Sequence, residues 1–300
     1  MIRPEDAVAE ISAAAVDAAG PRRRGKALRL LLRNPMALSG LGIIGLFILV
    51  AILAPVLETY NPTAVNPLVA LAPPSPQHWF GTDDVGLDVF SRTIAAARID
   101  LFAAFVVVGA ASITGSFLGI LSGWLGGWWD EIFMRVTDMF LAFPALILAM
   151  AISAVLSPNL LNALLAISVT FWPIYARLAR AQVLVVKQLE YVEAARSLAA
   201  PTARILLLHV VPNAFTPMLV QATLDMGNVL LTAAGLSFIG FGAQPPTPEW
   251  GLMVAQGQQY LMQQWWIATF PAAAIFLLVM GFNQLGDALR DYLDPRVRGR

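Results

Sequence analysis

The segment LEYVEAARSLAAPTARILLLHVVPN, residues 189–213, is a long polar stretch between segments of transmembrane character. A residue before proline is disfavoured in the α region, and proline suits the first turn of a helix. Ala200 and Pro201 therefore predict a turn between a short first helix and a second helix that continues into the next hydrophobic segment. Residues at helical spacing give the first helix an apolar side: Leu189, Tyr191, Val192, Ala195, Leu198 and Ala199.

The first helix of this segment has the composition of a docking element. Glu190, Glu193 and Ser197 fall on its polar side, and Glu193 and Arg196 are spaced to form an i,i+3 ion pair. Apolar side chains on such a helix can enter a groove of a partner, where its carboxylates can meet basic groups. The alternative interpretation is a solvated connecting loop.

The whole chain is too apolar for a soluble domain. Of its 300 residues, 58% are hydrophobic and 13% are charged, and the mean hydropathy is +0.70. The formal net charge of +0 provides no basic excess for nucleic acid. Cysteine is absent, and His78 and His209 are too few to build a zinc site. We therefore expect an all-α membrane protein without a metal site.

Six hydrophobic segments predict six transmembrane helices. Their ranges are 36–57, 99–123, 132–156, 160–174, 213–238 and 265–285. The first follows a long charged leader, so we expect it to remain as an anchor rather than to be a cleaved signal. Phe143-Pro144 predicts a kink in the third segment. The fourth is short for a crossing, so its helix is expected to continue past Pro173.

The basic residues predict the orientation of these helices. Seven lie in the leader, one beside the turn before the third segment, five within 177–204 and four near the C terminus, which leaves Arg92 and Arg98 outside. Because Lys and Arg concentrate in cytoplasmic loops, both termini and the segment 189–213 are expected in the cytoplasm. The predicted organisation is a cytoplasmic leader (1–35), a first transmembrane helix with a periplasmic segment (36–98), a five-helix core (99–292) containing the loop 188–212, and a cytoplasmic tail (293–300).

The outer segment GTDDVGLDVFSR, residues 81–92, carries three aspartates that invite comparison with a calcium loop. The spacing of Asp83, Asp84 and Asp88 does not follow the ligand pattern of an EF-hand, and no glutamate closes the segment. We therefore expect these carboxylates to form turns and to cap the following helix.

An ionisable residue, Asp225, lies near the middle of the fifth hydrophobic segment. A charge at this depth is costly and faces the bundle interior or a wet path, so Asp225 with Gln221 and Asn228 forms a candidate translocation surface. The alternative is a hydrogen bond within the bundle, with Gln221, Asn228 or Asn283 as the partner. Asp138, nearer a helix end, is expected to pack or cap.

Several enzyme motifs are missing from the sequence. It contains no Walker A loop, no HExxH and no Gly-x-Ser-x-Gly elbow. With no nucleophile and base in a recognisable pattern, the chain is expected not to be an enzyme.

The segment EYVEAARSLAAPTARILLLHVVPN resembles the "EAA" coupling loop of ABC-type importer permeases. Glu193, Ala194, Ala195 and Pro212 match that pattern at the right spacing, whereas Ala199 stands where the family has glycine. If the turn needs a left-handed residue there, alanine costs on the order of 1 kcal/mol. By this resemblance the ATPase-coupling residues are the following: Glu190, Tyr191, Glu193, Ala194, Ala195, Arg196, Leu198, Ala199 and Pro212.

The resemblance extends over roughly residues 81–295. The blocks GTDDVGLDVFSR, MRVTDMFLAFPALILA, FWPIYARLARAQVL, GLSFIGFGAQPPTPEWGLM and GDALRDYLDP are similar to the second permease subunit of peptide and nickel importers. Leu87 and Ala233 depart from it, since the family usually has arginine and often an acidic residue there. Each departure is expected to remove a charge from an outer or translocation-side surface.

The resemblance implies six transmembrane helices in the type I ABC importer fold, with a cytoplasmic coupling-helix loop, in a multi-pass protein of the bacterial inner membrane. It implies half of a translocation pathway for dipeptides or oligopeptides. The implied partners are a second permease subunit in a heterodimer, two ATPase subunits that carry ATP and Mg, and an extracytoplasmic substrate-binding protein; no cofactor is implied on this chain.

Other functions are also compatible with parts of the sequence. The cargo could instead be a nickel chelate or a modified peptide. A proton-coupled secondary transporter would use Asp225 and Asp138. A membrane-embedded assembly subunit would transport nothing, and co-purification with an ATPase would distinguish it from an importer.

Overall fold

A computed structural model describes residues 34–293 of the chain. The predicted leader, apart from residues 34 and 35, and the predicted tail, apart from residue 293, lie outside these described residues. Within 34–293 the chain forms helices and no β-strand, with a single isolated bridge between Thr82 and Asp88.

The helices follow one another along the chain with short connections. They are α1 (Pro35–Leu57), α2 (Val89–Leu125), α3 (Gly127–Leu141), α4 (Ala145–Leu156), α5 (Leu160–Val186), α6 (Glu190–Ser197), α7 (Thr202–Ile205), α8 (Val211–Phe238), α9 (Trp250–Gly257) and α10 (Trp266–Leu293). A π-helical turn, Leu206–Val210, joins α7 to α8, and 3₁₀ turns occur at Pro67–Val69 and Gln258–Tyr260.

Five helices of residues 34–293 are long and apolar enough to cross a membrane: α1, α2, α5, the continuous helix Thr202–Phe238, and α10. The pair α3 and α4 becomes a sixth span if it crosses as one, with a bend of 90° at the break. The predicted kink at Phe143-Pro144 is confirmed, and it is a break rather than a gentle bend because Pro144 starts a new helix. Helix α5 continues through Pro173, as predicted.

Within residues 34–293, α2 and α5 are the helix pair with the most extensive contact. Gly115, Gly119 and Gly123, spaced four residues apart, line one side of α2. A Cβ built on Gly115 or Gly119 would lie 2.2 or 2.1 Å from a backbone carbonyl oxygen of α5. Glycine at these positions therefore permits a backbone contact that any side chain would prevent.

Helix α10 packs between α1 and α8, and glycine again permits the close approach of the helices. A Cβ on Gly40 of α1 would lie 2.8 Å from the carbonyl oxygen of Gly281, and a Cβ on Gly286 would lie 2.4 Å from Leu224 of α8. The hydroxyl of Ser39 also donates to the side chain of Gln284 at 2.7 Å. These contacts fasten the N-terminal helix to the core.

The acidic outer segment forms turns and a cap, as predicted. Asp83 accepts hydrogen bonds from the amides of Val85 and Leu87 at 3.1 and 2.8 Å. Asp88 caps α2, accepting from the Ser91 amide at 2.8 Å. Helix α2 thus begins at Val89, well before the predicted start of the second span, because this cap lets the segment join the helix.

Arg92 is fully buried at the outer end of α2. Its Nη1 donates to the carbonyl oxygens of Pro62 and Pro246 at 3.0 and 3.2 Å, which links two outer loops that are remote in sequence. A buried cation is costly unless it is hydrogen-bonded. These two bonds therefore favour the arrangement in which both loops pack against the start of α2.

Helix α9 is anchored to α2 by two buried carboxylates. Glu249 caps α9, accepting from the amides of Gly251 and Leu252 at 3.0 and 2.7 Å. Asp100 of α2 accepts from the Trp250 amide at 3.2 Å and lies beside Glu249. Burial raises the pKa of Glu249, because its charged form is poorly solvated there. The hydrogen bond from Trp250 to Asp100 thus attaches the outer loop that contains α9 to helix α2.

Candidate functional site: the coupling loop and a membrane-embedded polar cluster

Helix α6 is short and carries its charges where the helix dipole favours them. Glu190 and Glu193 lie in its first turn and Arg196 in its last. Leu189 is the N-cap residue of α6; it has an extended backbone and makes no side-chain capping hydrogen bond. These charges support a helix that is too short to be stable by its own hydrogen bonds.

The apolar side of α6 is divided between the protein's interior and its surface. Val192 is fully buried with Val183 and Val186 of α5, and Ala195 is partly buried against the same cluster. Leu198 is 84% exposed, and Tyr191 is 43% exposed. The prediction of one continuous apolar docking face is therefore corrected: Val192 and Ala195 hold the helix in place, and the outward face combines Leu198 and Tyr191 with the two glutamates.

The predicted i,i+3 pair between Glu193 and Arg196 is not formed. Within residues 34–293, Arg196 makes no ion pair within 4.0 Å, and its guanidinium instead lies over the ring of Trp124 at 4.8 Å from the centroid. A cation–π contact with the indole is worth about 0.5–1 kcal/mol at an exposed site, whereas an i,i+3 ion pair on a helix surface is worth about 0.2–0.5 kcal/mol, so the contact with Trp124 is favoured. Glu193 is thus left exposed and free for a partner.

A Schellman motif ends α6, and Ala199 occupies its left-handed position. The Ala199 amide donates to the Arg196 carbonyl at 2.9 Å, and the Ala200 amide donates to the Ala195 carbonyl at 3.1 Å. Ala199 has φ +54°. The turn therefore needs a residue in the left-handed conformation, and Ala199 supplies it. Pro201 precedes the second helix as its N-cap, and the helix begins at Thr202.

Replacing Ala199 by glycine is expected to stabilise this turn by about 1 kcal/mol, since glycine removes the Cβ clash of the left-handed conformation. Hydrogen exchange at the amides of residues 199 and 200 should slow by about fivefold. Ala203→Gly is the matched control, because Ala203 lies in regular helix and glycine there should cost a similar amount. Faster exchange in Ala199→Gly would show that the turn opens through another residue.

The second half of the loop is a π-helical turn that leads into α8. Pro212 has no amide proton to donate, and its ring crowds the preceding turn, so the chain widens over Leu206–Val210. The side chain of Asn213 donates to the His209 carbonyl at 2.6 Å and to the Tyr191 hydroxyl at 3.2 Å. The loop thus folds back on α6 as one unit.

The membrane-embedded cluster is centred on Asp225, which is 1% exposed. Gln221 and Asn228, on neighbouring turns of α8, donate to its Oδ1 at 3.0 and 3.3 Å. The prediction that Asp225 faces the bundle interior is confirmed. Asn283 of α10, the other candidate partner, packs against Gly227 instead. Asn228 and Asn283 are exposed, so the polar surface near mid-membrane consists of amides in front of a buried carboxylate.

Tyr175 of α5 also belongs to this cluster, although the sequence did not single it out. It is fully buried and interacts with Asp225 across the helix pair. Neither its hydroxyl nor Asp225 Oδ2 has a hydrogen bond of good geometry within residues 34–293. A single tyrosine among the apolar residues of a span was a signal that could have identified it.

The structure also shows the surroundings of three further residues discussed above: Asp138, Leu87 and Ala233. Asp138 forms an ion pair with Arg177 Nη2 at 2.5 Å, and both side chains are exposed, so the expectation that Asp138 packs or caps is wrong. Leu87 and Ala233, expected from the resemblance to remove a charge from a surface, are 4% and 6% exposed. The expectation that they alter an outer or translocation-side surface of this chain is therefore wrong, because both pack inside it.

Comparison with known proteins supplies the family. A family profile described as "Binding-protein-dependent transport system inner membrane component" matches residues 115–299. A second, described as "N-terminal TM domain of oligopeptide transport permease C", matches residues 24–74.

Three relatives illustrate the degree of similarity. The probable D,D-dipeptide transport system permease protein of Escherichia coli K12 is 46% identical over 92% of this chain and 92% of its own. The dipeptide transport system permease protein of Alkalihalophilus pseudofirmus is 44% identical over 91% and 90%. The glutathione transport system permease protein of Escherichia coli O157:H7 is 43% identical over 75% of each chain.

Apolar helices of spanning length, joined by a folded polar loop, define a multi-pass transport protein of the inner membrane. The chain belongs to the family of inner-membrane components of binding-protein-dependent transport systems, which are the permease subunits of ABC importers. The predicted family and fold are thereby confirmed. The chain is not an enzyme, since ATP is hydrolysed by separate subunits of such transporters.

Proposed function

We propose that this permease subunit conducts peptides of the dipeptide class. The observation that carries this proposal is the 46% identity, over 92% of both chains, to a permease named for D,D-dipeptide transport. A modified peptide is the second candidate, because relatives named for glutathione transport are 43% identical over 75% of the chain. A nickel chelate is a weaker alternative, and residues 34–293 contain no group of three metal-ligating side chains.

The proposed machine contains this chain and a second, different permease subunit as the two halves of the pathway. Two ATPase subunits with ATP and Mg would dock from the cytoplasm, and an extracytoplasmic binding protein would deliver cargo to the outer loops. In this arrangement residues 36–98 form the first helix with its outer segment, and residues 99–292 form the core. Alternating access follows when ATPase closure moves the coupling loop and the rigid helices attached to it.

The proposed docking surface is the outward face of α6 with the Schellman turn. Leu198 is 84% exposed in a loop outside the spans, and a large apolar side chain at such a site favours a protein partner. Glu190 and Glu193 flank it as exposed carboxylates, and Ala194 offers a small side chain that permits close approach. Ala195, Arg196 and Pro212 serve this surface indirectly, because they position the helix from behind.

The proposed translocation surface is the amide pair Asn228 and Asn283. Exposed polar side chains in the middle of spanning helices face water or protein rather than lipid. Amides both donate and accept hydrogen bonds, which suits the peptide groups of a cargo that has no fixed side chain. Asp225 accepts from both Gln221 and Asn228, so it holds Asn228 from behind; neither Asp225 nor Gln221 is expected to touch cargo.

The test of this assignment is uptake by the purified transporter in proteoliposomes, with a labelled dipeptide and its cognate binding protein. Asn228→Ala should raise the cargo concentration for half-maximal uptake by about fivefold, which is the loss of one hydrogen bond of about 1 kcal/mol. Asp225→Asn keeps an acceptor for Gln221 and should remain within about twofold of the parent protein.

Thr223→Ala is the control for these variants, since the Thr223 hydroxyl donates to the Leu219 carbonyl of its own helix at 2.9 Å. Equal uptake by Asn228→Ala at all cargo concentrations would remove Asn228 from the pathway. Competition by unlabelled dipeptide is expected to exceed competition by glutathione or a nickel chelate; the reverse order would overturn the proposed cargo.

The proposed orientation places both termini and the coupling loop in the cytoplasm. Gln258 and Gln188 are exposed on opposite sides in this topology, and the parent chain contains no cysteine. Gln258→Cys should react with a membrane-impermeant maleimide in intact cells, whereas Gln188→Cys should react only after permeabilisation. Labelling in the opposite order would invert the proposed topology.

A further inference from the structure

The chain itself connects α6 only to α5 and, through α7, to α8. The folded protein adds a contact to α2, which is remote in sequence. Trp124 lies in the last turn of α2, and two cations from the coupling region approach its ring. The guanidinium carbon of Arg196 is 4.8 Å from the ring centroid, and the ammonium of Lys187 is 5.4 Å from it. Both distances lie within the range of cation–π attraction.

Lys187 also binds the end of α2 directly. Its Nζ donates to the carbonyl oxygens of Gly123 and Trp124 at 2.9 and 2.7 Å. Carbonyls in the last turn of a helix have no amide partner within it, and a cation there complements the helix dipole. Burial and the charge of Arg196 lower the pKa of Lys187, as expected when two cations share one aromatic ring.

Apolar packing completes this junction. Trp124 and Ile120 of α2 pack against a buried cluster formed by Val183, Val186, Val192, Ile205 and Val210. That cluster takes residues from α5, α6, α7 and the π-helical turn. Nearby, Arg180 of α5 makes a bidentate pair with Asp130 of α3 at 2.6 Å for each bond. The cytoplasmic ends of these helices are thus fixed to one another.

The junction joins α6 to α2 as well as to α5. Residues 187–189 connect α5 to α6 along the chain, and the buried cluster of Val183, Val186 and Val192 packs these two helices together. Trp124 adds the end of α2 to this packing, so a displacement of α6 reaches α2 as well as α5. Since Gly115 and Gly119 bind α2 closely to α5, a contact at the end of α2 transmits such a displacement to the pair.

We propose that Trp124 is a positioning residue that makes α2 move with the coupling helix, so that the coupling of ATP hydrolysis to transport depends on its aromatic face. This inference rests on the proposed docking of the ATPase at α6. Trp124 itself does not belong to the docking surface.

The test compares Trp124→Leu with the conservative Trp124→Phe in the complete transporter in proteoliposomes. Trp124→Leu should raise the ATP hydrolysed per cargo molecule by about fivefold, the factor that corresponds to a cation–π contact of about 1 kcal/mol. Trp124→Phe keeps an aromatic face and should stay within about twofold of the parent ratio. Co-purification of the ATPase should be the same in all three proteins.

Arg196→Met and Arg196→Lys repeat the comparison from the other side of the contact, and they carry the test if Trp124→Leu fails to insert. Arg196→Met should uncouple and Arg196→Lys should not. Spin labels at Leu125→Cys and Ser197→Cys, both exposed positions, should report a broader distance distribution in Trp124→Leu than in the parent protein.

An unchanged ratio in both Trp124→Leu and Arg196→Met, with the ATPase still bound, would overturn the inference. So would a loss of transport in Trp124→Leu that is explained by lost ATPase binding at an unchanged ratio. The failure of the proposed docking surface looks different, since the ATPase would then bind normally to a Glu193→Ala variant.

Discussion

Replacing Glu193 by alanine is expected to abolish transport and to weaken association of the ATPase, while the spans still insert and fold. Glu193 is exposed on α6 and is not paired with Arg196, which lies over Trp124 instead. If its carboxylate is desolvated against a basic group of the ATPase, its removal leaves that group unpaired at a cost on the order of 2–5 kcal/mol. The measurements are co-purification of the ATPase and cargo-stimulated ATP hydrolysis in proteoliposomes.

Glu190→Ala is the matched control for this prediction. Both glutamates lie in the first turn of α6, so the loss of either removes a similar interaction with the helix dipole. A larger effect at Glu193 therefore measures the contact with the partner rather than the stability of the helix. Normal binding and stimulation by Glu193→Ala would place the polar anchor elsewhere.

Leu198→Ser tests the apolar part of the same surface. Leu198 points outward, so its loss should weaken docking without disturbing the buried Val192 cluster. If neither Leu198→Ser nor Glu193→Ala changes ATPase binding, α6 is not the docking element.

Gly119→Ala is expected to destabilise the folded protein by about 3 kcal/mol, the upper end of the usual cost of overpacking. The added Cβ would lie 2.1 Å from the Ala176 carbonyl oxygen, which belongs to the backbone of α5 and cannot rotate away. The two helices must separate to accommodate it, and the contacts along their whole length weaken. The free energy of unfolding, measured by SDS titration in mixed micelles, provides the comparison.

The control for this variant is Gly109→Ala in the same helix. A Cβ at Gly109 meets nothing within 4 Å, so alanine there should be neutral or slightly stabilising. Equal stability of Gly119→Ala and Gly109→Ala would show that α2 and α5 are not held by the glycine contact.

Much of the architecture could be read from hydropathy because burial in lipid is a property of local composition. The spans, the break at Phe143-Pro144 and the passage of α5 through Pro173 all follow from runs of apolar residues and the chemistry of proline. The second apolar run began at residue 99, whereas the helix that contains it begins at Val89, because the Asp88 cap lies outside the apolar run.

The loop was predictable in outline and not in its contacts. The sequence marked a short helix, a turn and a second helix, and it marked Ala199 as a residue whose conformation mattered. It also predicted an ion pair between Glu193 and Arg196. This prediction is wrong because Arg196 contacts Trp124, which is more than 70 residues earlier in the chain and therefore outside any local pattern. Likewise, Asp225 was recognisable by its depth, whereas its neighbour Tyr175 comes from another helix.

The sequence by itself determined the class of the protein, the spans, the polar loop and the residue types available at each site, because hydropathy, proline geometry and charge act over a few neighbouring residues. Only the tertiary structure decided which side of α6 is buried, that Tyr175 of α5 lies beside Asp225 of α8, and that the end of α2 is joined to α6. Those features depend on contacts between residues far apart in the chain, some of them made possible by glycine, and a pattern in neighbouring residues does not contain the distances between such residues.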